Sequence, residues 1–158
     1  MPENGGVKNY RAILVMPLAL GLAFSGFVAR AETPWQTDYK KAQQEAKANN
    51  KPLLINFTGS DWCPPCKMLE KEIFSTREFK EYASKNFVLL EIDFPRRKEQ
   101  SAELARQNQE LAMRYHIEVF PSIIVLSSDV KKIGELLGYD PGTSVDAYIA
   151  ELEKLRKS

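Results

Sequence analysis

The chain has 158 residues, with 22 Lys and Arg against 21 Asp and Glu and a net charge of +1. A balance this even leaves no electrostatic footprint for nucleic acid or an anionic lipid surface. There is no internal repeat and no low-complexity tract, and only two cysteines are present.

Residues 1–31 read apart from the rest. Lys8 and Arg11 precede an uncharged, mostly apolar run from Ala12 to Ala29, and Ala29-Arg30-Ala31 has small residues at the two positions that a signal peptidase reads. The segment is expected to be a secretory signal cleaved after Ala31, which leaves residues 32–158 as one domain of roughly 130 residues with one core. The alternative is an uncleaved membrane anchor, because the apolar run is near the roughly 20 residues that span a bilayer. Pro17, Gly21, Ser25 and Gly26 weaken it as a stable spanning helix, and no cysteine follows the run to carry a lipid. The segment holds Lys8, Arg11 and Arg30 against Glu3, so its removal still leaves a near-neutral domain.

Trp35 to Asn49 has the pattern of an amphipathic helix through Tyr39, Ala42 and Ala46, started by Thr37 or Asp38. Leu53 to Phe57 is a short buried strand. A helix carrying the cysteines follows, with Met68, Leu69, Ile73 and Phe74 inward, and Ser75-Thr76-Arg77-Glu78 marks a break and a fresh N-cap before Phe79 and Tyr82. Phe87 to Phe94 is a second buried strand, Arg96-Arg97-Lys98 a solvated loop, and Glu99 to Tyr115 a helix with Leu104, Leu111 and Tyr115 on its apolar side. Ser122 to Leu126 and Lys131 to Gly138 form a hairpin across Ser127-Ser128-Asp129, and Thr143 to Lys157 closes the chain as a helix. The order α β α β α β β α predicts an α/β fold, a mixed sheet covered by helices on both faces.

Both cysteines, Cys63 and Cys66, lie at i and i+3 where the first strand passes into a helix. That spacing places both sulfurs on one face of a first helical turn, close enough to be bridged. A four-residue loop closes little chain entropy, so the pair makes a poor structural staple and a good redox tool. The unpaired N–H groups and positive dipole end of the turn favour the Cys63 thiolate, and Cys66, one turn deeper, is expected to be the more buried sulfur. Pro64 and Pro65 suit the first turn but remove two N–H donors, leaving the Cys66 N–H as the nearest to Cys63. Trp62 shields one side of the pair and offers apolar surface to a substrate. Lys67 either adds positive potential or is simply solvated.

Trp62-Cys63-Pro64-Pro65-Cys66-Lys67, followed roughly 55 residues later by Tyr115-His116-Ile117-Glu118-Val119-Phe120-Pro121-Ser122 and a hairpin, resembles the thioredoxin superfamily. The resemblance covers most of the chain from Trp35 onward. The surroundings of the dithiol, Phe57-Thr58-Gly59-Ser60-Asp61 and Leu69-Glu70-Lys71-Glu72-Ile73-Phe74, look most like an exported bacterial subgroup. The resemblance implies a thioredoxin fold and a cis bond before Pro121. Phe120 would then offer its backbone to an extended substrate chain; the alternative is a trans proline that opens an ordinary strand. One residue departs from the family pattern. Thioredoxins have a buried Asp at the base of the dithiol, and the matching position here is Asn56, which cannot act as a base. Proton transfer at Cys66 would then fall to water or to a carboxylate such as Glu118 or Asp61, and release of the mixed disulfide is expected to be slower than in thioredoxins. His116, the only histidine, reads as a loop residue before it reads as a group that tunes the thiols.

These features point to an exported, periplasmic thiol–disulfide oxidoreductase acting as a monomer, in which Cys63 forms the mixed disulfide and Cys66 resolves it. No metal, nucleotide or flavin cofactor is implied. The absence of a His between the cysteines favours a protein-disulfide reductase kept reduced by a membrane electron-donor protein and acting on oxidised exported proteins, cytochrome c maturation intermediates among them. An oxidase or isomerase is the alternative within this chemistry. Outside it stands a binding protein, with the two thiolates on a soft metal such as Cu(I), or a fold that serves only for docking.

Overall fold

In the computed structural model, which describes Met1 and residues 34–157, the central strand is β1, Leu53–Thr58, all six of whose residues are buried. A strand covered on both faces reads as a continuous apolar run, as Leu53-Leu54-Ile55 does. β1 pairs in parallel with β2, Val88–Asp93, and antiparallel with β3, Ser122–Leu126. β3 in turn pairs antiparallel with β4, Lys132–Leu137, giving the sheet order β2-β1-β3-β4. β4 lies at the edge and carries the charged, exposed Lys132 and Glu135, which blunt the edge against further pairing. The expected mixed sheet is present. The expected signal segment, apart from Met1, lies outside the described residues.

The alternation of side chains along β1 builds two cores. Leu53, Ile55 and Phe57 pack with Val88, Leu90 and Ile92 of β2 beneath α1, Tyr39–Ala48, and α4, Ala102–Tyr115. Leu54 and Leu89 point to the other face, beneath α2, Pro64–Leu69, the π-helical turn Glu70–Phe74, α3, Arg77–Asn86, and α5, Val145–Arg156. Phe74 is the hinge of this second core, its ring 4.7 Å from Phe79, 5.0 Å from Trp35 and 6.0 Å from Tyr148. Four phenylalanines, at 57, 74, 79 and 87, are fully buried, each contributing about 1.5–3 kcal/mol of apolar transfer.

Local chemistry sets the helix ends. Asp38, Thr76, Ser101 and Ser144 are N-caps whose side-chain oxygens accept from the N–H three residues on. The break expected at Ser75-Thr76 is thus present, with Thr76 starting α3. The helix expected from Trp35 begins only at Tyr39. Gln36 instead bridges to the free side of β2, donating to Leu89 O at 3.0 Å and accepting from Glu91 N at 2.8 Å. Those two bonds satisfy the open edge of β2, which outweighs the helical periodicity of Trp35–Asp38.

Candidate active site

β1 ends at Thr58, and residues 59–63 turn the chain from the sheet into α2. Gly59 is required there by close approach: a Cβ would run into the Trp62 indole. Gly59 O accepts from both Trp62 N at 3.2 Å and Cys63 N at 2.9 Å, which winds the turn. Cys63 then serves as the N-cap of α2, with Pro64 and Pro65 in the first turn. Proline fits because the first-turn N–H groups have no helical partner.

Cys63 and Cys66 are joined by a disulfide, with Cα atoms 5.3 Å apart. The Cys66 N–H donates to Cys63 Sγ at 3.3 Å, the donor expected to remain once both prolines are in place. The expected difference in burial is absent: Cys63 is 3% and Cys66 4% exposed. The extended backbone of Cys63, φ −91° and ψ 107°, folds its sulfur back over the turn it caps, so it does not project into solvent. Pro64 is exposed and Pro65 half-buried.

Trp62 is held on three sides. Its Nε1–H donates to Phe94 O at 2.7 Å, its ring meets the Phe120 ring edge-on at 5.8 Å, and the Arg96 guanidinium lies 3.9 Å from the ring centroid. The Phe120–Pro121 bond is cis, as the resemblance implied, and Pro121 is buried. Phe120 and Pro65 also line a groove of about 470 Å³ with Leu136, Tyr139 and Tyr148. Apolar surface at Val119 and Leu137 lies nearby in the chain, 46% and 60% exposed. Trp62, Phe120 and Pro65 are therefore brought together beside the dithiol.

A further sequence expectation needs correction. Asp61 is not free to serve a sulfur: its carboxylate accepts the backbone N–H groups of Arg96, Arg97 and Lys98, at 3.0, 2.6 and 3.2 Å. The Arg96 bond foremost, with those of Arg97 and Lys98, holds its carboxyl below the usual carboxylate range. Arg96-Arg97-Lys98 is exposed, as expected of a solvated loop, but its backbone is tied to Asp61, and Arg96 stacks on Trp62. Glu118 is exposed in the segment before Pro121. Lys67 is exposed, and its Nζ donates to Asp61 O at 2.9 Å, bracing the turn. His116 ends α4 in the left-handed conformation, φ 54°.

Asn56 is buried on the face of β1 beneath α2, and its Oδ1 has no hydrogen-bond partner. Its neighbour in register on β2 is Glu91, a residue that periodicity alone left unremarked in an apolar strand. Asp93, two residues on, is occupied: its carboxylate accepts from Ser60 N at 2.9 Å and Ser60 Oγ at 2.6 Å. Among the described residues, no group of three or more His, Cys, Asp or Glu is arranged to hold a metal.

The thioredoxin-like domain family matches residues 39–153. A disulfide bond reductase, DsbH, from Chlamydia pneumoniae is 32% identical over 130 residues, covering 82% of this chain and 76% of the relative. The thioredoxin-related protein DsbJ of the same organism is 33% identical over 99 residues, which span 63% of this chain and only 28% of DsbJ. A solved structure of a DsbH oxidoreductase superimposes with a TM-score of 0.74 at 31% identity, covering 86% of this chain and 92% of that one. With a bridged Cys-x-x-Cys pair at the head of α2 and a match that spans most of its length, the chain belongs to the thioredoxin-like family and is a thiol–disulfide oxidoreductase.

Proposed function

We propose that the protein is exported and acts as a protein-disulfide reductase, with Cys63 as the nucleophile and Cys66 as the resolving thiol. The observation that carries the assignment of roles is the Cys66 N–H directed at Cys63 Sγ. A donor at that sulfur stabilises its thiolate, whereas Cys66 lies within the helix behind it. In the reduced protein the Cys63 thiolate attacks a substrate disulfide. The substrate S–S bond breaks, one substrate sulfur leaves as a thiolate that takes up a proton, and Cys63 is left in a mixed disulfide. Cys66 then loses its proton and attacks Cys63 Sγ; the second substrate sulfur leaves and is protonated. Two electrons pass to the substrate and Cys63–Cys66 becomes the disulfide seen in the structure.

Trp62, Phe120 and Pro121 form the apolar platform for the substrate chain in this reading, and Pro64 and Pro65 keep further donors away from Cys63. The reductive direction is supported by the name of the DsbH relative, a disulfide bond reductase. Re-reduction then requires an electron donor across the membrane, and export is supported by the Ala29-Arg30-Ala31 site in residues 1–31. The test is trapping: the Cys66→Ser protein accumulates a mixed disulfide with a disulfide-bonded substrate such as insulin, and Cys63→Ser does not. Trapping through Cys66 in the Cys63→Ser protein at an equal rate would reverse the assignment.

A further inference from the structure

Behind the dithiol lies a cavity of about 460 Å³ whose wall includes Cys66, Thr58 and Glu91. Cys63 is not part of that wall. Glu91 reaches it because β2 alternates: Val88, Leu90 and Ile92 pack into one core, while Leu89 and therefore Glu91 face the side of the sheet on which α2 lies. Its register partner on β1 is Asn56, whose carbonyl oxygen is buried and lacks a donor. A carboxyl that takes up a proton beside such an oxygen gains an acceptor for it.

Resting on the assignment of Cys66 as the resolving thiol, we propose that Glu91 is the group that accepts the proton of the Cys66 thiol when Cys66 resolves the mixed disulfide. Asn56 has no basic atom for this task. Asp93 is committed to Ser60, Asp61 to the 96–98 loop, and Glu70 accepts from Ser75 Oγ at 2.8 Å. The Glu91 carboxylate has no bonded donor among the described residues, and burial, followed by the charges of Asp93 and Glu70, pushes its carboxyl up, with Lys98 opposing. Lys67, Glu70, Lys71 and Lys98 also line the cavity; all four are exposed, whereas Glu91 is half-buried. A carboxyl shifted upward is a stronger base than an ordinary one at the same pH, as proton abstraction from a thiol needs.

In the step, the S–H bond of Cys66 breaks and its proton forms an O–H bond on Glu91. The freed thiolate attacks Cys63 Sγ, the bond from Cys63 to the substrate sulfur breaks, and that sulfur leaves with the electron pair and is protonated by solvent. Glu91 then releases its proton through the cavity, so it ends as it began.

The test is stopped-flow resolution of a preformed mixed disulfide across pH. Glu91→Gln is expected to slow resolution at neutral pH by about tenfold and to remove the pH dependence contributed by the carboxyl. Glu91→Asp recovers part of the rate, and attack by Cys63, measured in the Cys66→Ser background, is unchanged. A Glu91→Gln protein that resolves within twofold of the parent at every pH overturns the proposal. A second measurement uses the unsubstituted protein: the Glu91 carboxyl, followed by carbon NMR, is expected to titrate at different pH in the dithiol and disulfide forms. Identical titration in both also overturns it.

Discussion

Replacement of Trp62 tests how the dithiol is fixed against the loop that follows β2. In Trp62→Ala the indole N–H bond to Phe94 O is lost, at about 1 kcal/mol. The edge-on contact with Phe120 is worth about 0.5–1.5 kcal/mol, and the Arg96 cation, exposed as it is, about 0.5–1 kcal/mol. The total loss is about 3 kcal/mol. Trp62→Phe keeps a ring and loses about 1 kcal/mol, chiefly the N–H bond. Arg96→Ala leaves the backbone N–H that Asp61 holds at 3.0 Å in place, so it removes the stacking alone. A double-mutant cycle of Trp62→Ala and Arg96→Ala, read by urea unfolding with far-ultraviolet circular dichroism on the disulfide form, should give a coupling of about 0.5–1 kcal/mol. Arg96→Lys should lose most of the same coupling, because an ammonium lacks the flat face that stacks on indole. A coupling below about 0.2 kcal/mol would show that the guanidinium merely rests over the ring.

Three further substitutions probe the frame. Gly59→Ala should destabilise by about 1–3 kcal/mol, as its Cβ must displace the Trp62 ring, and the Trp62 fluorescence should shift with it. His116→Gly should raise stability by about 1 kcal/mol in thermal unfolding, because an exposed non-glycine residue at φ 54° is strained there. Glu153 accepts from Arg156 and from the Tyr82 hydroxyl, with Arg156 foremost in holding its carboxyl down at about 2 against an ordinary 4.5. Its folded value lies below its unfolded one, so the stabilisation is present above the ordinary range and is lost as pH falls through about 2. Glu153→Gln should therefore cost about 1 kcal/mol at neutral pH, after allowance for solvent screening, and nothing at the acid end of that range.

The parts of the fold that could be read along the chain are those with local causes. The apolar run Leu53–Phe57 needs both faces covered and became the central strand. Thr76, followed by Phe79, restarts a helix because its hydroxyl oxygen accepts the Phe79 N–H at 3.3 Å. Cys63 and Cys66 announced themselves by spacing and by the lack of any other cysteine. What the chain hid depends on pairing between distant segments. The extension of Gln36 onto β2 comes from a free strand edge, and Asp61 finds its partners 35–37 residues away. Glu91 looks like a polar interruption of an apolar strand until the parallel register sets it beside Asn56. The burial of Cys63 also eluded sequence reasoning, because it follows from the backbone angles of a capping residue rather than from depth along the helix.

The reductive direction is the claim on which the functional account turns, and the reduction potential of the Cys63–Cys66 pair tests it most directly. Equilibration in dithiothreitol or glutathione buffers, with thiols trapped and counted by mass, is predicted to give a value near the roughly −270 mV of thioredoxin. A value near the roughly −120 mV of the oxidant DsbA would contradict the account and make the protein a disulfide donor.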